Sequence, residues 1–225
     1  QGLIQHAGSD SLVITATTLA GGQGRILTNG SLNLAAGEID LDGAETRAHH
    51  IRINSPLLSH QGALLAATGT LDIKADTLLD NTGGLITANG DTTVQAGTLL
   101  NRQGTLQATG NASLTLAASG VVDNSAGSLS TQSGHLVVES GGALLNRLGA
   151  IGSGGAFDAR LASLDNSGTL YAADRLAIVS AGLIDNTGVL AGRSSVQLDA
   201  ARLSAGAASL LAAGLQSDGS FGATG

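Results

Sequence analysis

The sequence predicts an all-β fold, a parallel β-helix (β-solenoid) of roughly eleven coils with about 20 residues each. Three observations predict it. A short polar phrase recurs along the chain, apolar and polar residues alternate between its copies, and the 225 residues include 34 Gly but only one Tyr, two Phe and no Trp. Because 42% of the residues are hydrophobic, the chain can bury a core. That core must consist of many thin layers of Leu, Ile, Val and Ala.

The recurring phrase has the form Leu/Ile-Asp/Asn-Asn/Arg-x-Gly. Its copies begin at Leu79, Leu100, Leu145, Leu164 and Ile184, and a copy with one inserted residue begins at Val122. A degenerate form ends at Gly2, Gly24, Gly43 and Gly62. We therefore predict one repeat-built domain over 1–225, with degenerate repeats over 1–78, regular repeats over 79–203 and a blurred repeat over 204–225.

A unit of this length is too short for two helices and their turns, and each interior glycine would cost a helix about 1 kcal/mol. The apolar residues of a unit alternate with polar ones, which is typical of strands. In one unit we predict strands around 106–108 and 114–117 and a short apolar segment at 121–122. Coils stacked about 4.8 Å apart would form a rod of about 50 Å, with similar residues aligned in ladders.

The phrase places polar side chains in two predicted columns. With its glycine as the register mark, one column holds Asp80, Asn101, Asp123, Asn146, Asp165 and Asp185, and the next holds Asn81, Arg102, Asn124, Arg147, Asn166 and Asn186. Asn and Asp side chains cap turn amides, and stacked Asn side chains can hydrogen-bond to one another. We therefore predict a structural ladder made of the ten Asp and Asn residues of these columns.

Electrostatics favours the mixture of residues in these columns. Two aspartates stacked 4.8 Å apart repel by about 3 kcal/mol at an effective dielectric constant near 20, before screening. Interspersed Asn and Arg side chains are predicted to relieve this repulsion. The repeated glycines are predicted to supply a positive φ angle at a corner of each coil; they are Gly62, Gly83, Gly104, Gly149, Gly168 and Gly188.

Residues 38–60 are the one stretch in which charges and histidines concentrate, and they include the sole proline, Pro56. Besides Glu38 and His60, the stretch contains a candidate interaction patch of Asp40, Asp42, Glu45, Arg47, His49, His50 and Arg52. Carboxylates beside histidines can serve acid–base chemistry or bind a divalent ion. The alternation with inward-facing isoleucines indicates solvated strand faces instead. We therefore predict no catalytic residue, no metal site and no cofactor.

Composition argues against several other functions. A net charge of −7, a single lysine (Lys74) and the absence of a basic run argue against nucleic acid as a partner. The apolar stretches are too short to span a bilayer, and the chain lacks both an initiator Met and a signal-peptide pattern, so we expect it to be a fragment. Phe157, Tyr171 and Phe221 are too scattered to form a sugar-stacking platform.

The phrase Leu-Asp-Asn-x-Gly followed by x-Leu/Ile-x-Ala, as at 164–172 and 184–191, resembles the filamentous-haemagglutinin repeat. The resemblance is clearest over 79–203 and looser over 1–78. It implies a right-handed parallel β-helix in a very large exoprotein of a Gram-negative bacterium. Such exoproteins are secreted or held at the cell surface, use an outer-membrane secretion partner, and include adhesins and the stalks of contact-dependent growth-inhibition toxins.

From these observations we predict a non-catalytic stalk that projects a distal domain from the cell surface. The absence of cysteine suits a chain that crosses an outer-membrane pore unfolded, as the resemblance implies. One alternative is a lateral adhesion module, centred on 38–60, that binds a receptor on a host or neighbouring bacterial cell. The other is a β-helical carbohydrate-active enzyme.

Overall fold

The computed structural model describes residues 2–216 and 220, and within these residues the chain forms 23 strands and no helix. In chain order the strands are β1 (Leu3–His6), β2 (Leu12–Ala20), β3 (Arg25–Thr28), β4 (Ser31–Asp40), β5 (Glu45–Ala48), β6 (His50–Asn54), β7 (Leu57–Ser59), β8 (Leu64–Ala67), β9 (Leu71–Asp80), β10 (Leu85–Ala88), β11 (Thr92–Leu100), β12 (Thr105–Ala108), β13 (Leu114–Ala118), β14 (Val122–Asp123), β15 (Ser128–Thr131), β16 (Leu136–Asn146), β17 (Ala150–Ser153), β18 (Phe157–Asn166), β19 (Thr169–Ala172), β20 (Arg175–Asn186), β21 (Val189–Gly192), β22 (Ser195–Ala205) and β23 (Leu210–Ala213).

The strands form two parallel sheets that run the length of the rod. The first sheet has eleven strands in the order β1-β3-β5-β8-β10-β12-β15-β17-β19-β21-β23. The second has twelve, in the order β2-β4-β6-β9-β11-β13-β16-β18-β20-β22, with the short β7 and β14 pairing beside this path. Each coil therefore stacks on the next in both sheets. This confirms the predicted β-solenoid of about eleven coils, and the unit predicted at 106–122 contains β12, β13 and β14 as expected.

Inward-facing side chains of equivalent strands form columns through the core. One column runs through Leu12, Leu32, Ile51, Leu71, Thr92, Leu114, Leu136, Phe157, Leu176 and Val196. Phe157 is its largest side chain and is fully buried, whereas Ala159 is small beside its column neighbours Val138 and Ile178. The small side chain of Ala159 thus compensates for the large ring of Phe157 in the same strand, so that this coil can stack on its neighbours. Of the other aromatic residues, Tyr171 lies on the outer face and Phe221 lies outside the described residues.

The long strands of the second sheet bend in the middle. In four of the pairings the register shifts there, between Ala96 and Thr98, Ser140 and Ala143, Leu161 and Leu164, and Ser180 and Leu183. Glycine allows the close approach at such bends, since a Cβ on Gly97 would lie 2.4 Å from the backbone oxygen of Thr77. The bends divide the outer face of the sheet into two halves that meet along a line parallel to the rod.

The corner after the second sheet contains a column of residues with positive φ. The column consists of Gln23, Gly43, Gly62, Gly83, Gln103, Ala126 and Leu148, with φ between 54° and 65°. The prediction of positive φ was therefore right for Gly62 and Gly83. It was wrong for Gly104, Gly149, Gly168 and Gly188, whose φ angles lie outside this region.

Close packing between coils explains these four glycines instead. A Cβ on Gly104 would lie 2.1 Å from the backbone oxygen of Asn81, and one on Gly168 would lie 2.1 Å from that of Gly149. The same conflict arises at Gly149 and Gly188. The sequence pattern correctly marked a position where only glycine fits. The reason is contact with the neighbouring coil rather than backbone conformation.

Candidate functional site

The most continuous polar feature of the molecule is a buried column of six asparagines. Each donates from its Nδ2 atom to the Oδ1 atom of the next, namely Asn81 to Asn101 (2.7 Å), Asn101 to Asn124 (2.7 Å), Asn124 to Asn146 (2.9 Å), Asn146 to Asn166 (2.7 Å) and Asn166 to Asn186 (2.7 Å). All six side chains are buried, with at most 1% exposed. The column links six successive coils by side-chain hydrogen bonds in addition to the backbone ladder.

Each asparagine also binds the backbone at its corner. The Nδ2 atom of Asn124 donates to the carbonyl oxygens of Gly127 at 3.3 Å and Ala150 at 3.2 Å, besides its bond to Asn146. Its Oδ1 atom accepts from Asn101. A buried amide with all these partners stabilises one corner geometry, because any shift would leave polar atoms unpaired.

The structure corrects the two columns predicted from the glycine register. Asn101 stacks on Asn81 rather than on Asp80, and Asn146 stacks on Asn124 rather than on Asp123. The column beside the asparagines is Asp80, Leu100, Asp123, Leu145, Asp165 and Asp185. The glycine was a wrong register mark for two reasons. After Asn81 it is Gly84, not Gly83, that packs against the neighbouring coil, and the packed glycine follows Asn101 by three residues but Asn166 by two.

Arg102 and Arg147 lie outside both columns and reach aspartates of the next coil. The Nε atom of Arg102 donates to Asp123 Oδ2 at 2.6 Å, and that of Arg147 donates to Asp165 Oδ2 at 2.7 Å. Burial raises the pKa of Asp123, but hydrogen bonds from Ser125 and Arg102 outweigh burial and hold the pKa below its usual value. Leu100 and Leu145 also interrupt the aspartate column, so Asp165 and Asp185 are its only directly stacked carboxylates among residues 80–185.

His60 occupies the ladder position before Asn81. Its side chain was expected in a solvated stretch, but the residue is only 1% exposed, which corrects that interpretation. Its Nδ1 atom contacts Asn81 Oδ1 at 2.8 Å, so Nδ1 carries the proton and donates. The Nε2 atom has no hydrogen-bond partner among the described residues. One coil earlier the column continues as Leu41, which is fully buried, so the polar ladder ends at this histidine.

The stability of the coils around His60 is expected to fall as the pH decreases below about 6.5. Burial lowers the pKa of His60, against the smaller opposing effects of Asn81, the Asp42 carboxylate and the Leu64 backbone. The unfolded chain therefore binds a proton at a higher pH than the folded chain, and stability is lost from the unfolded pKa downward until the folded pKa is reached. Urea denaturation at a series of pH values from 8 to 5 measures this slope.

Two variants separate His60 from the other groups that titrate. His60→Asn, which extends the asparagine column, should flatten the slope between pH 6.5 and 5, whereas His49→Gln, at an exposed histidine of the same coil, should keep it. An unchanged slope in His60→Asn would show that this buried histidine does not control the acid response.

The candidate interaction patch of 38–60 does not form one surface. These residues make a single coil. Asp40 ends β4 on the second sheet and Asp42 lies at the corner after it, Glu45 and Arg47 lie in β5 on the first sheet, His49 lies at the next corner, and His50 and Arg52 lie in β6 on the second sheet. Proximity in sequence therefore places the side chains around the rod rather than side by side.

Each member of the patch is also bound within the fold. Asp40 accepts from the Asp42 amide at 2.9 Å, and Asp42 accepts from the Ser59 hydroxyl at 2.7 Å and the Gln61 amide at 2.8 Å. The other contacts are Glu45 with Arg25 and Arg47, His49 with Thr68, His50 with Thr70, and Arg52 with Asp72. The hydrogen bonds from Arg47 and Arg25 lower the pKa of Glu45.

The structure brings together a set of residues that the sequence did not single out. Two neighbouring hollows on the outer face of the second sheet, of about 570 and 420 Å³, share Glu139 and Arg160. Both side chains are exposed, and they lie opposite each other in adjacent strands. Only the register of β16 and β18 reveals this, because the two residues are a whole coil apart in sequence.

Comparison with known proteins identifies the repeat. The family model described as haemagglutinin repeat matches residues 7–65, 66–126, 111–160 and 152–217. The chain belongs to the haemagglutinin repeat family. The matches include the degenerate N-terminal repeats as well as the regular ones. No curated protein and no solved structure matches the chain.

Haemagglutinin repeats are typical of secreted or cell-surface bacterial proteins and imply a two-partner secretion context. Within the part of the chain that the structure describes, no helix is long and apolar enough to cross a membrane. The same residues contain no cluster of three or more His, Cys, Asp or Glu side chains that could hold a metal ion. The fold, the corner ladder and the repeat family are thus mutually consistent.

Proposed function

We propose that this haemagglutinin-repeat chain is a non-catalytic stalk segment of a large exoprotein of a Gram-negative bacterium, either an adhesin or a contact-dependent growth-inhibition toxin. The segment projects a distal domain from the cell surface. An outer-membrane partner secretes the exoprotein, and a host or neighbouring bacterial cell carries the receptor for the distal domain.

The observation that supports this role is the unbroken stacking of coils. Every strand of both sheets pairs in parallel with its counterpart in the neighbouring coil, and the asparagine column adds side-chain bonds over six coils. Bending such a rod would break hydrogen bonds on one side in many coils at once. Each coil adds a rise of about 4.8 Å, so length is set by repeat number.

The chemistry of 38–60 supports a structural role over a receptor site or an enzyme centre. Asp40 and Asp42 hold a corner of the coil, and Glu45 bridges two arginines. A general acid or base must reach a substrate, and a receptor site must present its groups on one face. The patch residues are instead distributed around the rod and engaged within it.

Deleting residues 124–165 from the full exoprotein is expected to leave its distal activity intact and to reduce its reach. These residues are two whole coils in the asparagine register, since Asn124, Asn146 and Asn166 stack on one another. The rod should shorten by about 10 Å, which small-angle scattering of the 225-residue chain can measure. Cell binding or target-cell killing by the full exoprotein is the functional readout.

A deletion of residues 124–153 serves as the control, because it removes a non-integral number of coils and joins Asp123 to a different part of the coil. It should misfold the rod and abolish activity. The stalk proposal fails if the integral deletion folds, as circular dichroism would show, and yet abolishes binding or killing at short cell-to-cell distances. That result would locate the activity within the deleted coils.

A further inference from the structure

A groove runs along the outer face of the second sheet, beside the line where its strands bend. The larger hollow extends from Asp76 to Arg160 and the smaller one from Val137 to Gln197, and they are continuous through Glu139 and Arg160. From the coil of Asp76 to that of Gln197 there are six coil steps, so the groove is about 29 Å long. Its length and direction suit a linear ligand that lies parallel to the rod.

The centre of the groove contains two opposite charges without partners. Among residues 2–216 neither Glu139 nor Arg160 makes an ion pair or a side-chain hydrogen bond. The other charged residues that line the hollows are paired: Arg175 binds Asp158 at 2.6 Å, and Asp76 lies 3.4 Å from Lys74. Among the charged residues that line the two hollows, Glu139 and Arg160 are therefore the ones that a ligand can bind without first breaking an ion pair.

Small residues form the recesses of the groove. In the column that contains Glu139 and Arg160, Ala117 lies between Gln95 and Glu139. In the neighbouring column Ala177 lies between Asp158 and Gln197. Each alanine leaves a space between two longer side chains, and the exposed Val179 adds apolar surface beside Arg160. The recesses suit short apolar side chains.

We propose that this groove binds an extended polypeptide segment of a partner protein, with a basic side chain at Glu139, an acidic side chain at Arg160 and short apolar side chains in the recesses at Ala117 and Ala177. On one face of an extended strand, side chains recur about every 6.6 Å, whereas neighbouring coils are about 4.8 Å apart. Long, flexible Lys and Glu side chains can span this difference. The proposal is independent of the stalk role, since it concerns the side of the rod.

The lining favours a polypeptide over a polysaccharide. Neighbouring groups of opposite charge are common in polypeptides, whereas acidic glycans carry charge of one sign. The residues that line the two hollows include no aromatic ring on which a sugar could stack. The backbone groups of β16, β18 and β20 are paired on both sides, so the segment would be recognised through side chains rather than by strand addition.

Isothermal titration calorimetry at low ionic strength tests the proposal with a twelve-residue peptide of two Ala-Thr-Lys-Thr-Glu-Thr units, in which Ala, Lys and Glu share one face of the extended chain and the threonines favour that conformation. We expect saturable binding that the double variant Glu139→Gln, Arg160→Gln weakens about tenfold, as the loss of two surface ion pairs predicts. Ala117→Phe, which fills a recess and leaves the charges in place, should also weaken binding. The matched control is the double variant Arg52→Gln, Asp72→Asn on the same sheet outside the groove, which should bind as the unchanged chain does.

Circular dichroism and thermal unfolding establish that each variant folds. The proposal is overturned if the peptide fails to bind, or if it binds equally well to the groove variants and the control variant. It is also overturned if a neutral glucan oligosaccharide binds where the peptide does not and loses its binding in the Glu139→Gln, Arg160→Gln variant, because the groove would then be a polysaccharide site.

Discussion

Replacing Leu176 by Asp is expected to destabilise the chain by several kcal/mol, on the order of 4. Leu176 is fully buried in the column between Phe157 and Val196, on the strand β20 that pairs on both sides. A carboxylate there would find no cation or hydrogen-bond donor on its column neighbours, the side chains of Phe157 and Val196. The destabilisation should appear as a lower midpoint in urea denaturation at neutral pH.

Two variants control this measurement. Arg193→Ala, at an exposed corner residue, should change stability by less than about 0.5 kcal/mol, and Leu176→Met, which keeps volume and polarity, by less than about 1.5 kcal/mol. Because repeat arrays can unfold in parts, hydrogen exchange should show the largest loss of protection in the coils next to residue 176. Equal effects of Leu176→Asp and Arg193→Ala would contradict the assignment of inward and outward faces.

Replacing Asn124 by Ala should be the second most damaging change, with a loss of about 3 kcal/mol. The substitution removes the donor to Asn146 Oδ1 and the acceptor for Asn101 Nδ2. It also removes the donor to two backbone oxygens, those of Gly127 and Ala150. Since this corner is buried, the remaining polar atoms lose these partners out of contact with bulk water, and urea denaturation should show the cost.

Asn186→Ala is the matched control, because this asparagine is the last of the column. It accepts one bond from Asn166, and its Nδ2 atom donates to the carbonyl oxygens of Gly188 at 3.3 Å and Leu210 at 3.4 Å, but it donates to no further asparagine among the described residues. We expect it to cost about 1 kcal/mol less than Asn124→Ala, because one hydrogen bond fewer is lost. If the two substitutions cost the same, the column does not act as a connected network, and each asparagine would matter only for its own corner.

Neither the groove at Glu139 and Arg160 nor the burial of His60, on which the expected pH dependence of stability rests, could be predicted from the sequence. The reason is the same for both. Each depends on which residue of the next coil lies alongside, and the repeat length varies between coils. His60 resembles any other polar residue of a charged stretch until the register places it before Asn81. Glu139 and Arg160 become neighbours only through the pairing of β16 with β18.

The sequence by itself determined the fold class, the number of coils, the strands of a unit and the repeat family, because recurring phrases and alternating apolar residues are local patterns that every coil repeats. It also indicated that asparagines and glycines of the phrase matter to the corners. Only the tertiary structure decided the register, in which Asn101 and Asn146 lie in the same column as Asn81. It also showed that Gly104 and Gly149 are needed for close packing between coils rather than for a positive φ angle. It also showed that the side chains of the 38–60 patch lie on different sides of one coil. The physical reason is that corners of different length can follow the same phrase, and only the stacked coils, through their hydrogen bonds and close contacts, fix which residues align.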